Sequence, residues 1–485
     1  MENGMNSING ELVRYFGAFI GGTTCELEKK FNVQNPATQT VFATVANCGE
    51  AEAQLALEAT VTAFDSWKKT TATARSKLLK AWYAAIIEHT EEIAQAISSE
   101  MGKPISEARG EVAYAAAYVE LYAEEATRIY GETFPSQFSN KRLFANRQPV
   151  GPVYAVTPWN FPAAMITRKV APALAAGCTA IVKPAEQSPI TALILADLWK
   201  KVGGPAGTFQ VLTTDDPASV SKVMFESRLI RKLTFTGSTD VGRMLYQQSA
   251  KTIKKVSLEL GGHAPFIIFE DADIDKAIDE VMACKFRNAG QTCVCTNRIY
   301  VHRAISEEFS NRLSQRVKAL KVGNPSLNDT QIGPLVDSAA IEKVEDHVKD
   351  AVSKGARVLT GGQQREGLYY DPTVLIGVNA TMKIAFEETF GPVAPVIVFD
   401  TEDEVIHLAN DTPYGLAAYL YTNDLSRAFR ISETLDYGIV GVNDGAPSTP
   451  QGPFGGIKDS GLGREGGKWG LEEFLDIRFV SMNLQ

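Results

Sequence analysis

Leu233-Thr234-Phe235-Thr236-Gly237-Ser238-Thr239-Asp240-Val241-Gly242 starts as a β-branched and aromatic run and ends in a glycine turn that opens a helical stretch. A strand that feeds straight into a helix is the repeating unit of parallel sheets, because a parallel neighbour can be reached only by a crossover. Outward from this block, strand-like runs at 153–157, 179–183 and 209–212 alternate with amphipathic stretches of helical length. A second alternating series follows Glu259, with strands expected at 265–269, 298–302, 393–399, 418–421 and 439–443. Before Gly151 the texture is different. From Glu50 to Tyr130 apolar and alanine positions recur at three and four, with breaks at Gly102, Pro104 and Gly131, which predicts a helical layer. The pattern predicts an α/β chain with two doubly wound, Rossmann-type layers.

Two segments, 134–147 and 474–484, are strand-like but lie outside this rhythm. They are expected to pair with each other as a small β extension whose open edges a second subunit would cover; a surface hairpin is the alternative.

At 485 residues the chain exceeds what one hydrophobic core fills, so several domains with clefts between them are expected. Hydrophobic content is 45% and charged content 22%, as in globular proteins, and no window approaches the ~18 apolar residues of a membrane span. A net charge of -9 without a basic tract argues against nucleic-acid and anionic-membrane surfaces and in favour of small-molecule partners. The six cysteines are sparse and irregular, which suits a reducing compartment, and the first fifteen residues carry no export pattern; a cytoplasmic location is expected. The five histidines are scattered, so no metal site is expected.

Phe286-Arg287-Asn288-Ala289-Gly290-Gln291-Thr292-Cys293-Val294-Cys295 places a cysteine on a glycine-bearing loop between a helix at 274–286 and a strand. A thiol there can be exposed and activated, although a lone loop cysteine is more often a bystander. In Val256-Ser257-Leu258-Glu259-Leu260-Gly261-Gly262, Glu259 sits among apolar neighbours, where desolvation raises a carboxylate toward the range of a general base. Pro158-Trp159-Asn160-Phe161-Pro162 is stiffened by two prolines, and a rigid Asn160 amide can serve a developing oxyanion, a role worth roughly 10²–10³ in rate. The Gly-x-Gly-x-x-Gly fingerprint is absent. In its place the turn at Gly237 and Ser238 brings backbone N–H groups and a positive helix end toward a pyrophosphate. Lys183-Pro184-Ala185-Glu186, at a strand end, offers a lysine and an acid to ribose hydroxyls.

Together with Glu387-Glu388-Thr389-Phe390-Gly391-Pro392 and Pro453-Phe454-Gly455-Gly456-Ile457-Lys458, these blocks resemble the aldehyde dehydrogenase superfamily in order and over nearly the whole chain. The resemblance implies a Cys293 nucleophile that forms a thiohemiacetal and then a thioester, water activated by Glu259, and an oxyanion held by Asn160 and the Cys293 N–H. It implies a nicotinamide cofactor, with Lys183 and Glu186 at the adenosine ribose, Gly237, Ser238 and Gly242 at the pyrophosphate, Glu388 and Phe390 at the nicotinamide ribose, and Trp159 lining the channel. Glu186 would accept a 2′-hydroxyl and repel a 2′-phosphate, which favours NAD over the alternative, NADP. The implied domains are 1–127 with 147–258 for NAD(P), 259–457 for catalysis, and 128–146 with 458–485 as oligomerisation arm and tail, in a homodimer or homotetramer.

Residues 159–169, 286–295 and 452–467 look most like those of succinate-semialdehyde dehydrogenases. That likeness implies two arginines on the substrate's distal carboxylate, Arg168 and Arg287, plus a hydroxyl from Ser448 or Thr449; guanidinium suits such an anchor. Glutarate and 2-oxoglutarate semialdehydes, or a broader aldehyde range, satisfy the same anchor. Cys295, two residues from Cys293, suggests a strained, reducible disulfide, with a spectator thiol as the alternative. Competing readings are acyl transfer to coenzyme A, which has no use for Glu259, and a non-catalytic protein that merely keeps the fold.

Overall fold

The computed structural model describes residues 5–8 and 11–484. Its largest sheet is built on five parallel strands in the order Lys255–Glu259, Lys232–Thr236, Val153–Val156, Ala180–Lys183 and Phe209–Val211. The chain starts in the middle of this set, winds one way to Phe209–Val211, and then crosses back to wind the other way. The reversal leaves a crevice beside the carboxyl end of Val153–Val156, where neighbouring connections diverge and ligands bind in open α/β sheets. Gly461–Leu462 adds an antiparallel edge at one side, and Ala18–Ile20 with Thr23–Cys25 at the other.

The second sheet has six parallel strands, Thr373–Ile376, Val393–Phe399, Thr296–His302, Ala264–Ile268, Ala417–Tyr421 and Ile439–Val442, with Arg357–Thr360 antiparallel at its edge. Most of these strands are buried along their length, which is why they read as apolar runs rather than alternating ones. Strands expected from the sequence agree with those observed to within about two residues.

Four helices, Glu50–Trp67, Ala72–Glu88, Thr90–Met101 and Ile105–Glu125, form the expected helical layer. Aromatic side chains join this layer to the first sheet: Trp82 packs edge-on at 5.6 Å from Trp199 and 5.8 Å from Phe209. Glu100 is buried and accepts from the amides of Ile190 (2.8 Å) and Thr191 (3.1 Å), and from the Thr191 hydroxyl. It therefore satisfies the start of the Ile190–Lys201 helix, and its burial pushes its own carboxyl up to about 8.

Lys141–Pro149 and Leu475–Asn483 pair antiparallel over nine residues, and Glu132–Phe134 completes a three-stranded extension. Its Phe479 stacks on Phe134 at 5.8 Å, while Ile477, Phe479 and Met482 remain exposed. The tail read as 458–485 divides in two. Residues 458–474 return to the first sheet through Gly461–Leu462, and only the strand beyond belongs to the extension. Among the described residues no helix is long and apolar enough to cross a membrane, and no group of metal-ligating side chains occurs.

Replacing Glu100 by alanine strands three buried donors and should cost about 3 kcal/mol. In denaturant unfolding Glu100→Ala shifts the midpoint well beyond the exposed control Glu92→Ala; equal shifts would refute the role.

Candidate active site

At the reversal point of the first sheet lies a cavity of about 1030 Å³. It runs from Lys183 and Glu186, past Gly237 and Ser238, to Glu388, Phe390, Trp159, Asn160 and Cys293, so the fold brings these nine predicted residues to one cleft.

At one end Lys183 ends its strand as a buried side chain with Nζ 3.3 Å from the exposed carboxylate of Glu186. In the middle Ser238 caps the Thr239–Ala250 helix by accepting from the Val241 amide at 3.4 Å, so the helix's positive end opens on the cleft. Gly242 is a correction. It lies a turn inside that helix, and a Cβ there would stand 2.3 Å from Leu260 Cδ2, so its role is close helix–strand packing rather than phosphate contact. Toward the other end half-buried Glu388 accepts from the Gly262 amide at 3.1 Å, and desolvation pushes it up to about 7. Phe390 is held at φ 56°, with its ring edge-on to Trp159 at 5.6 Å. The cleft's shape and donors fit an extended dinucleotide, with an acid and a lysine for one ribose, helix amides for the pyrophosphate, and Glu388 for the other ribose.

The nucleophile loop follows the Ile274–Lys285 helix with a tight turn. Asn288 and Ala289 take left-handed φ of 51° and 53°, a conformation that costs roughly 1–2 kcal/mol per non-glycine residue. Gly290 completes it at φ 75°, where a Cβ would strike the Gly391 carbonyl at 2.2 Å. Gln291 pins the turn: its side chain donates to the Asn288 carbonyl (3.1 Å) and accepts from the Val336 amide (3.0 Å). Cys293 emerges half-buried at the cleft wall. Burial pushes its thiol up to about 12, against the opposing pull of the Arg168 and Arg287 guanidiniums.

Asn160 is buried, and its Nδ2 donates to the Gln291 carbonyl at 3.0 Å, tying the first sheet's loop to the nucleophile's. Glu259 lies behind the cleft wall rather than on it. Both of its carboxylate oxygens are buried without a hydrogen-bond partner, and a Cβ on Gly455 would meet one of them at 2.7 Å. Burial and the neighbouring Glu465 raise its pKa well above the usual carboxylate range, while Arg168, Lys169 and Arg464 oppose the rise.

The substrate-side residues are less uniform. Arg168, expected as a carboxylate anchor, is buried with Nε 2.7 Å from Glu465; Nε and Nη2 have no hydrogen-bond partner, and the guanidinium lies 4.0 Å over the Phe454 ring. Glu465 also takes the ammonium of Lys169, which donates on to Thr236 Oγ1 at 2.5 Å. Arg287 is different, half-buried beside Phe161 and in no ion pair among the described residues, with Nε unpartnered. Ser448 and Thr449 lie on a loop that does not line the cleft. No disulfide joins Cys293 and Cys295; Cys295 is buried, and its thiol faces the Lys285 and Thr296 carbonyls. A switch between these two sulfurs would require the strand start to unpack.

Sequence reasoning missed Glu465, Gln291 and a charged group beneath the loops, the buried Lys103 and Glu111 with the half-buried Glu107. Glu465 stands in Gly463-Arg464-Glu465-Gly466, where only its glycine flanks hint at a tight, enclosed turn.

Comparison with known proteins agrees with this layout. The sequence pattern of the aldehyde dehydrogenase family matches residues 23–480. A succinate semialdehyde dehydrogenase of Acinetobacter baylyi is 50% identical over 467 residues, covering 96% of each chain. A glutarate-semialdehyde dehydrogenase of Pseudomonas putida is 50% identical over 469 residues, covering 96% of this chain and 98% of the relative. The crystal structure of an E. coli NADP dependent enzyme superposes with a TM-score of 0.96 at 49% identity, covering 97% of this chain and 98% of the other. With a doubly wound sheet holding a dinucleotide-shaped cleft and a strained loop delivering Cys293 into it, the chain belongs to the aldehyde dehydrogenase family.

Proposed function

We propose that the protein oxidises a short semialdehyde with a distal carboxylate, succinate semialdehyde first, to the corresponding acid. The observation that carries this reading is the convergence of Cys293 and Asn160 on a dinucleotide-shaped cleft, with the unpartnered carboxylate of Glu259 just behind its wall. Cys293, once its thiol has lost its proton to solvent, adds as the thiolate to the aldehyde carbon, and the resulting oxyanion takes hydrogen bonds from the Asn160 carboxamide and the Cys293 N–H. The nicotinamide, when bound, supplies the hydride acceptor that turns this adduct into a thioester. Glu259 then takes a proton from the water that attacks the thioester carbon, and Cys293 leaves as the thiolate.

Arg287 is the favoured anchor for the distal carboxylate, because among the described residues no acid forms an ion pair with it, whereas Arg168 is paired with Glu465. Arg168 has its charge matched by Glu465, which it and Lys169 hold below the usual carboxylate range. Glutarate semialdehyde is the second reading, favoured by the P. putida relative. The exposed Glu186 beside the buried Lys183 favours NAD, while the NADP-dependent relative makes parallel assays with both cofactors necessary. The apolar residues Ile477, Phe479 and Met482 support assembly through the extension as a homodimer or homotetramer, and six free cysteines suit the cytoplasm.

Steady-state assays with succinate semialdehyde, glutarate semialdehyde and an uncharged aldehyde should give kcat/KM values at least tenfold higher for the charged substrates. Arg287→Ala should erase most of that preference, as expected for a charge-assisted contact of about 1.5–3 kcal/mol; an unchanged ratio removes the anchor. Glu259→Gln should retain a first-turnover burst of one NADH or NADPH per site while steady-state turnover falls about 10²–10⁴-fold. Loss of the burst itself would refute the assignment.

With the Cys293 thiol held up near 12, only the thiolate reacts with iodoacetamide, and its fraction grows with every step of pH below that value. Inactivation of the cofactor-free enzyme should therefore accelerate about tenfold per pH unit from 7 to 9 without levelling off. A plateau near pH 8 would contradict the buried-thiol account.

A further inference from the structure

Three charged side chains lie beneath the Asn160 and Cys293 loops without lining the cleft. Lys103 and Glu111 are each 1% exposed and form an ion pair, and Glu107 stands one turn before Glu111 on the Ile105–Glu125 helix. A buried ion pair is a poor stabiliser, since apolar side chains of similar volume usually serve stability as well or better. These three groups, however, spend their remaining hydrogen bonds on the backbone of the two loops.

Lys103 Nζ donates to the Asn160 carbonyl at 2.8 Å and sits 3.6 Å over the Phe161 ring. Glu111 Oε1 accepts from the amides of Ala163 (2.9 Å) and Ala164 (3.3 Å), at the far end of the same turn. Glu107 Oε2 accepts from the Asn288 amide at 2.7 Å, and Asn288 Nδ2 returns to the Asn160 carbonyl at 3.2 Å. The Ile105–Glu125 helix and the link that enters it therefore grip the oxyanion loop through Lys103 and Glu111, and the strained nucleophile loop through Glu107. Both grips meet at a single atom, the Asn160 carbonyl oxygen, which belongs to the residue whose side chain faces the reaction.

We propose that Lys103, Glu107 and Glu111 are positioning residues, a buried brace that fixes the Asn160 carboxamide relative to Cys293 and so sets the geometry of the oxyanion site. The inference rests on the roles given to Asn160 and Cys293 above. An apolar filling of the same space would leave the Asn160 carbonyl and the Ala163 and Ala164 amides to find new partners, and the loop would move with them. A displacement of about 1 Å can cost on the order of 100-fold in rate.

A double-mutant cycle on acylation of Cys293 separates positioning from bulk stability. The probe is p-nitrophenyl acetate: the Cys293 thiolate attacks the ester carbonyl, the thioester forms, and p-nitrophenolate leaves and is read optically. Lys103→Met should slow this burst about 10- to 100-fold in the wild-type background and less than twofold in Asn160→Ala, with NADH affinity, followed by fluorescence, unchanged. Equal slowing in both backgrounds would overturn the brace. If Lys103→Met loses NADH binding and is unfolded, Glu107→Ala, which cuts only the grip on Asn288, carries the same cycle with the same two outcomes. Cys293→Ser controls the underlying reading. Persistence of the burst in that variant would sink the Cys293 assignment together with the brace, whereas an additive cycle with a Cys293-dependent burst sinks the brace alone.

Discussion

The hydrogen bond from Asn160 Nδ2 to the Gln291 carbonyl is the seam of the molecule. One partner ends a strand of the first sheet and the other belongs to the loop that leads into the second. Neither sheet alone holds a complete site, since the first supplies the cleft, Asn160 and Glu259, and the second delivers Cys293. The site therefore depends on how the two halves register, and a contact shared by the oxyanion donor and the nucleophile loop fixes that register where an error would matter most. The left-handed Asn288 and Ala289 fit this view. A locally unfavourable turn persists only when its surroundings over-determine it, and here Gln291, Glu107 and the Gly391 carbonyl wall leave no alternative path.

Behind the seam, charge is arranged rather than merely tolerated. Glu259 and Glu465 are neighbouring buried carboxylates with opposite treatment. Glu465 is matched by Arg168 and Lys169, which hold it below the usual carboxylate range, while Glu259 has no direct partner and is raised. Two acids whose surroundings drive their affinities apart can take different parts in one reaction. The matched one stays ionised as a structural anion; the unmatched one is free to exchange a proton. Glu465 thus has two consequences: it neutralises the cations that would otherwise keep Glu259 ionised, and it occupies the arginine that the sequence offered as a substrate anchor.

Much of this was legible in the chain and some was not, for identifiable reasons. The parallel strands read clearly because burial on both faces leaves continuous apolar runs, and Cys293, Asn160, Lys183 and Glu388 read clearly because each stands in a short block of turn-forming residues. Gly461–Leu462 and Ala18–Ile20 were invisible, since two or three residues carry no period. Glu107 and Glu111, with Lys103 just before their helix, were missed because charges on an amphipathic helix ordinarily mark its solvated face, and only tertiary packing reveals a second loop lying against that face. The ion pair of Arg168 was hidden for a related reason: its counter-charge, Glu465, comes from the far end of the chain, beyond the reach of local pattern. Cys295 was read by spacing from Cys293, yet it is buried just before the Thr296–His302 strand and its thiol faces the Lys285 carbonyl.

The two arginines also bear on how an enzyme of this design separates one semialdehyde from another. A guanidinium whose charge is already matched projects little net field onto an incoming carboxylate, and displacing its partner would expose a buried acid without compensation. Arg287, half-buried and without an ion pair among the described residues, bears no such penalty. If it is the anchor proposed above, charge selection rests on one arginine, and a single fixed cation would also measure length, because the distance from it to Cys293 would admit only aldehydes whose two ends span that gap. Chain-length preference would accordingly follow the placement of Arg287. Phe161 links this selectivity to the brace: the Lys103 ammonium lies 3.6 Å and the Arg287 guanidinium 5.5 Å from its ring centroid, so one ring touches both the group that holds the oxyanion loop and the proposed anchor.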